Sequence, residues 1–196
     1  MRAMARAAGG ARGGVWVMAP MSWTAAEAGR FASLGAAAGL KTPGVMVEVP
    51  SAALTAEAIL GRVEFASLGT NDLTQYAMAA DRQLGTLAAL NNPWQPAVLM
   101  LVGLTVAGSE AEGPNKPVGV CGEAAAYPAL AVVLPGLGVS PLSMTPRALA
   151  AVGAVLKSVT LEQAQDLVRL ALAAPSAREA RARARANLPR LDTSGV

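Results

Sequence analysis

Short apolar runs alternate with capped helical stretches along most of the chain, and this alternation restricts the fold more than any other property. Val15-Trp16-Val17-Met18 is the first run, ended by Pro20. Thr24 then heads a helix with Glu27 three residues on, as in a capping box, and that helix is expected to end near Gly39. Residues 44–49 form the second strand, closed by Pro50, and 51–61 read as helix. The third strand spans 63–68, followed by a helix from 72 to about 80 and another from about 95 to 107. Residues 108–115 read as a polar loop, 117–121 as the fourth strand and 123–134 as helix. A shorter fifth strand covers 139–144, and Thr145-Pro146 starts the next helix with proline at its first position. Thr160 with Gln163 and Ser176 with Glu179 head two closing helices, each with a capping box. Five strands separated by helices predict an α/β fold with a parallel sheet and helical crossovers; an open doubly wound sheet and a barrel both fit.

At 196 residues the chain suits one domain with a substantial core. Apolar residues make up 53% and charged residues only 15%, a balance for strands covered on both faces or for surface buried against a partner. No apolar run reaches the ~18–20 residues that cross a bilayer; residues 129–139 are interrupted by Pro135 and Gly136. The opening residues have basic side chains but no apolar core before Gly9-Gly10, so no secretory signal is expected. A single cysteine, Cys121, leaves no internal disulfide and fits a reducing cytoplasm. Arg178, Arg181, Arg183, Arg185 and Arg190 crowd the last twenty residues. No aromatic residue interleaves them, which favours a solvated terminal helix over a nucleic-acid surface. The chain contains no histidine.

Four places carry chemistry. Glu48 interrupts an apolar strand and by period two points with Met46, away from Val45, Val47 and Val49. A carboxylate there needs a pairing partner or a metal; the alternatives are a salt bridge at the rim and an active-site ligand at a strand's carboxyl end. Asn71 and Asp72 follow the third strand directly. They are either turn residues and a helix cap or, with Glu48, oxygen ligands for a hard cation such as Mg²⁺. Arg82, ten residues on from Asp72, adds a planar cation suited to phosphate or carboxylate. Cys121 ends the fourth strand beside Gly122, as a small buried apolar residue or as a reactive thiol.

Several segments in order resemble the strand motifs of the phosphoenolpyruvate (PEP)–protein phosphotransferases, enzyme I of the sugar phosphotransferase system. They are Val17-Met18-Ala19-Pro20-Met21, residues 44–50, Phe65-Ala66-Ser67-Leu68-Gly69-Thr70-Asn71-Asp72-Leu73-Thr74-Gln75-Tyr76 with Asp81-Arg82, Asn92-Pro93, Gly119-Val120-Cys121-Gly122-Glu123 and Leu142-Ser143-Met144. The block from Gly69 to Gln75 is specific to a superfamily that includes pyruvate phosphate dikinase and PEP synthase, while Tyr76 and Asp81-Arg82 turn the likeness to enzyme I. The resemblance implies a TIM-type (β/α)₈ barrel in incomplete form, about five of its eight units, corresponding to strands four to eight. Residues 1–157 would be this partial barrel domain, and 158–196 closing helices with an Arg/Ala-rich tail. It further implies that Glu48 and Asp72 hold Mg²⁺, that Asn71, Asp72 and Arg82 contact the substrate, and that Cys121 is the catalytic acid that protonates the enolate carbon as pyruvate forms.

The family's first three strands, with further substrate-binding arginines, have no counterpart here, nor does the N-terminal half that carries the phosphohistidine and docks the phosphocarrier protein. Without histidine the chain forms no phosphohistidine. The expectation is therefore the PEP-binding, pyruvate-forming part of a cytoplasmic transferase that feeds sugar uptake, inactive alone, with no nucleic-acid or membrane partner. The alternative is a non-catalytic module that forms a homodimer or complements a separate chain, or a decayed fragment of the same family; an independent lyase or aldolase ranks third. Tyr127 stands where the family has Asp, Pro135 falls within a helix and Pro141 at the start of the last strand.

Overall fold

The computed structural model describes residues 1–8, 14–113 and 116–188; Gly9-Gly10, Asn115, Arg190 and the end of the tail lie outside the described residues. Five strands, β1 (Trp16–Ala19), β2 (Thr42–Val47), β3 (Phe65–Gly69), β4 (Val118–Cys121) and β5 (Leu142–Ser143), form one sheet in the order β1-β2-β3-β4-β5. All four pairings are parallel. The order never reverses, whereas a doubly wound sheet reverses at its switch point. Among the described residues the five strands show no such reversal. Among the described residues β1 and β5 are the edges, and the sheet does not close on itself.

The crossovers are helical: α1 (Arg2–Ala8) precedes β1, α2 (Ala25–Ala37) links β1 to β2, and α3 (Pro50–Leu54) with α4 (Ala56–Leu60) links β2 to β3. Then come α5 (Thr70–Ala77) and α6 (Pro96–Ala111) before β4, and α7 (Glu123–Ala126) and α8 (Pro128–Gly136) before β5. The chain closes with α9 (Leu149–Leu156), α10 (Leu161–Leu172) and α11 (Ala177–Ala186). The capping boxes at Thr24 and Thr160 form as predicted, with reciprocal bonds to Glu27 and Gln163. At Ser176 only half a box forms: Ser176 Oγ accepts the Glu179 N–H, but the Glu179 carboxylate pairs with Arg183 instead of returning to the cap.

Four boundaries differ from expectation for local reasons. The helix predicted over 51–61 breaks at Thr55, whose hydroxyl donates to the Ser51 carbonyl at 2.8 Å while its backbone leaves the helical region. The helix predicted over 123–134 breaks at Tyr127, held extended because Pro128 disfavours helical backbone in the residue before it. Helix α6 continues through Gly108 to Ala111, packed on α4, so the predicted loop starts later. β5 is only two residues long, and the helix expected at Pro146 starts as a 3₁₀ turn (Pro146–Ala148) before α9. Pro135 falls in the last turn of α8, where its missing N–H leaves the Ala131 carbonyl without its i+4 helical partner.

The two faces of the sheet differ sharply. Val45, Val47, Ala66, Leu68, Val118 and Val120 point toward the helices and are buried. Beneath them Ile59, Leu60, Leu99, Leu130 and Leu134 complete one core, to which the Ala177, Ala180 and Ala184 face of α11 is joined. Arg178 and Arg181 stay on the exposed side of α11, in keeping with a solvated terminal helix. On the opposite face Trp16 is 55% and Met18 41% exposed, and the Trp16 ring lies 4.9 Å from that of Phe65. A parallel sheet is ordinarily covered on both sides; here one side carries the core. Leu68→Ala is therefore expected to cost about 2–5 kcal/mol, and Met18→Ala less than about 1 kcal/mol. Urea unfolding of the two variants measures both, and equal losses would contradict this asymmetry.

Candidate functional site

Parallel register sets the site. Gly69 pairs with Cys121 and Cys121 with Ser143, so the carboxyl ends of β3, β4 and β5 stand level on the uncovered face. Val47 pairs with Leu68, which brings Glu48, the next residue, level with Gly69. Glu48 lies across Gly69 so closely that a Cβ there would sit 2.6 Å from Glu48 Cγ and Oε1. The carboxylate is 7% exposed, and its Oε2 accepts the Met21 backbone N–H at 2.8 Å. Glu48 is therefore held by an amide from the loop after β1, and among the described residues it forms no salt bridge. Met21 has φ +48°, a left-handed backbone that costs an L-residue about 1–2 kcal/mol.

Helix α5 begins at Thr70 without an intervening loop, two residues earlier than the sequence predicts. Asn71 and Asp72 are consequently in its first turn, where a negative charge favours the helix dipole. Asp72 Oδ1 lies 3.0 Å from Arg82 Nη2. The return of the chain to this point runs through Ala79, also left-handed at φ +48°, and through the Arg82 N–H, which donates to Gln75 Oε1 at 3.3 Å. With side chains 49% and 27% exposed, such an ion pair contributes only about 0–1 kcal/mol. A ligand can displace it at little cost. Thr70 Oγ1, buried at the same junction, has no hydrogen-bond partner among the described residues.

Cys121 is half-buried, with Sγ 3.5 Å from the Leu68 carbonyl oxygen to which it donates. Gly122 follows at φ +89°, ψ −152°, a conformation open essentially to glycine alone. A Cβ at Gly122 would lie 3.8 Å from Asn71 Nδ2, so the Asn71 amide reaches the Cys121 side of the site. Asn71 and Cys121 both line a cavity of about 840 Å³, together with Glu123, Tyr127 and Arg147. Glu48, Asp72 and Arg82 are outside its lining. The structure thus sorts the predicted residues into three neighbouring groups: Glu48 over Gly69, Asp72 with Arg82, and Asn71 with Cys121.

Two carboxylates bracket the end of β3, and among the described residues no cluster of three or more His, Cys, Asp or Glu side chains gathers. That donor set does not suit a closed structural zinc site. It fits a hard divalent cation that completes its shell with water and substrate oxygens. Sequence reasoning did not single out the Met21 amide, Tyr127 and Arg147 as parts of the site. A backbone N–H leaves no trace in the sequence, and Arg147 resembles any surface arginine until the turn after β5 is placed beside Cys121. Among the described residues no helix is long and apolar enough to cross a membrane.

Comparison with known proteins places these residues in context. A family model described as PEP-utilising enzyme, PEP-binding domain matches residues 1–161. A phosphoenolpyruvate-protein phosphotransferase of Streptomyces coelicolor is 52% identical over 189 residues, 96% of this chain and 34% of that protein. One from Haloferax volcanii is 40% identical over 191 residues, 91% of this chain and 34% of that protein. A multiphosphoryl transfer protein of Rhodobacter capsulatus is 45% identical over 138 residues, 70% of this chain and 16% of that protein. The chain thus spans about a third or less of the length of these relatives.

The closeness of Glu48 to Gly69 generates a double-mutant test. Gly69→Ala is expected to destabilise the chain by about 1–3 kcal/mol. In a Glu48→Ala background, where the clashing side chain is gone, the same change is expected to cost at least about 1 kcal/mol less. Denaturant unfolding of the four proteins of the cycle reads this coupling, and strict additivity would show that Glu48 does not rest on Gly69.

Proposed function

Since the chain belongs to the PEP-utilising enzymes and corresponds to the C-terminal part of a phosphoenolpyruvate-protein phosphotransferase, we propose that it is the PEP-binding, pyruvate-forming part of such an enzyme. The observation that carries this reading is the level row of Glu48, Gly69 and Cys121 at the carboxyl ends of adjacent parallel strands, with Asn71 and Asp72 opening the helix between them. On this reading the five strands are an arc of a TIM-type (β/α)₈ barrel. The unreversed strand order supports the arc, and carboxyl strand ends are where such barrels carry their chemistry.

Glu48 and Asp72 are the residues for Mg²⁺, which when bound supplies positive charge to the phosphate oxygens. The Met21 amide keeps the Glu48 carboxylate in place. Asn71 offers its amide to the substrate, and Arg82 exchanges Asp72 for a substrate oxygen, a planar fork for an anion. Once the phosphoryl group has left, the Cys121 thiol gives its proton to the methylene carbon of the enolate. The C–H bond forms as the S–H bond breaks, and pyruvate and a thiolate result.

With no histidine in the 196 residues, the phosphoryl acceptor lies on another segment or chain, and through it on a phosphocarrier protein that serves sugar uptake in the cytoplasm. The name multiphosphoryl transfer protein among the relatives supports a carrier of this kind. A second reading, a dimerisation or complementation module without activity of its own, is favoured by the exposed Trp16 and Met18 and by the edges of β1 and β5, unpaired among the described residues.

Titration of the purified chain with PEP, with and without Mg²⁺, tests the proposal. Saturable, Mg²⁺-dependent binding is expected, weakened about tenfold or more in Glu48→Gln and in Asp72→Asn, the loss of one charged contact. Binding indifferent to Mg²⁺ and to both substitutions would overturn the site. Pyruvate release from PEP by the chain alone is expected to stay at background; sustained turnover would overturn the requirement for an external acceptor.

A further inference from the structure

Both carboxylates that bracket the end of β3 have one oxygen engaged by an N–H donor. Glu48 Oε2 accepts the Met21 backbone N–H at 2.8 Å. Asp72 Oδ1 lies 3.0 Å from Arg82 Nη2. The two engagements differ in stiffness, because the Asp72–Arg82 pair is half-exposed while the Met21 amide is fixed from both sides. Before it, Ala19 pairs with Val45 in the sheet. After it, Ser22 is buried, and the Trp23 and Thr24 N–H groups donate to Glu27 Oε2 at 3.0 and 3.1 Å in the cap of α2. Met21 cannot withdraw its N–H without disturbing either the sheet or that cap, and the same anchoring sustains its left-handed φ of +48°.

The other carboxylate oxygen of Glu48, Oε1, lies over Gly69, where a Cβ would come within 2.6 Å of it. Glycine makes room for that oxygen, and among the described residues no donor is bonded to it. Glu48 therefore offers a cation one oxygen rather than two. Hard cations differ in what they accept from a carboxylate. Ca²⁺ gathers about six to eight oxygens and readily takes both from one carboxylate. Mg²⁺ holds to a near-octahedral shell, which the narrow bite of a two-oxygen carboxylate does not fit. Resting on the cation site proposed above, we infer that the Met21 N–H is a specificity determinant: by occupying Oε2 it bars two-oxygen binding by Glu48 and turns the site toward Mg²⁺ and against Ca²⁺. The role belongs to the backbone of Met21 and not to its thioether.

Mn²⁺ reports on the site through the loss of its free-ion paramagnetic resonance signal, and Mg²⁺ and Ca²⁺ are compared as competitors on the 196-residue chain. Mg²⁺ is expected to displace Mn²⁺ at a lower concentration than Ca²⁺ does; the reverse order would overturn the inference. An ester in place of the Pro20–Met21 amide, installed with the 2-hydroxy analogue of methionine, removes the N–H and keeps every side chain. In that protein the ratio of Ca²⁺ to Mg²⁺ affinity is expected to rise about fivefold or more, part of what one hydrogen bond to a charged group is worth. Met21→Gly keeps the N–H and accepts a left-handed backbone, so its ratio should stay within about twofold of the unsubstituted chain. An unchanged ratio in the ester, or an equal shift in Met21→Gly, would overturn this inference and leave the cation site standing. Mn²⁺ binding that is absent from the unsubstituted chain, or undiminished in Glu48→Gln, would overturn the cation site as well. Thermal unfolding midpoints check that the variants are folded.

Discussion

In a parallel sheet the hydrogen bonds between neighbours fix which residues stand level, and a slip by one residue turns every side chain to the other face. In this chain β2, β3 and β4 pair so that Val45, Val47, Ala66, Leu68, Val118 and Val120 all enter the helical core. The same register sends Glu48, Gly69, Cys121 and Ser143 to the other face at one level. Core burial and site assembly are thus one constraint. A slip that moved Glu48 away from Gly69 would also expose Val45 and Val47, and the apolar burial that opposes it amounts to several kcal/mol.

Around that row the backbone takes on strain where it serves the site. Among the described residues Met21 and Ala79 are the non-glycine positions with left-handed backbone. One aims an N–H at Glu48, and the other ends α5 and returns the chain so that Arg82 meets Asp72. Strain of this kind persists only where surrounding structure enforces it. By contrast the Asp72–Arg82 pair is half-exposed and weak, which suits a contact that yields to a ligand. The holding of Glu48 is stiff and the holding of Arg82 is soft, and the two residues have different tasks in the proposed chemistry.

The uncovered face gives the fold its second theme. Trp16 and Met18 lie exposed where a parallel sheet is normally covered, on the same face as the level row of Glu48, Gly69 and Cys121. The chain spans about a third or less of its relatives and contains no histidine. Site and uncovered side chains share one side of the sheet, with Trp16 and Met18 level with Thr42 and Gly44, nearer the strand starts than Glu48.

Alternation of apolar runs with capped helices was enough to predict a parallel α/β fold, because periodicity and capping are local properties of the chain. The block from Gly69 to Gln75, with Glu48, Arg82 and Cys121, likewise pointed to one family, since its residue types and order survive without coordinates. Local signals also misled where two of them competed, as at Thr55 and Tyr127, where a hydroxyl bond and a following proline cut helices that the apolar pattern made continuous. The alternation of runs and helices by itself left strand order open, because hydrogen bonds between distant segments choose the neighbours; the family resemblance implied a barrel arc, and the tertiary structure gave the unreversed sheet. Only the tertiary structure decided the Met21 amide on Glu48, the Asp72–Arg82 pair across a left-handed turn, and Arg147 beside Cys121. Each depends on where the backbone carries a group after folding, and residue type alone does not encode that.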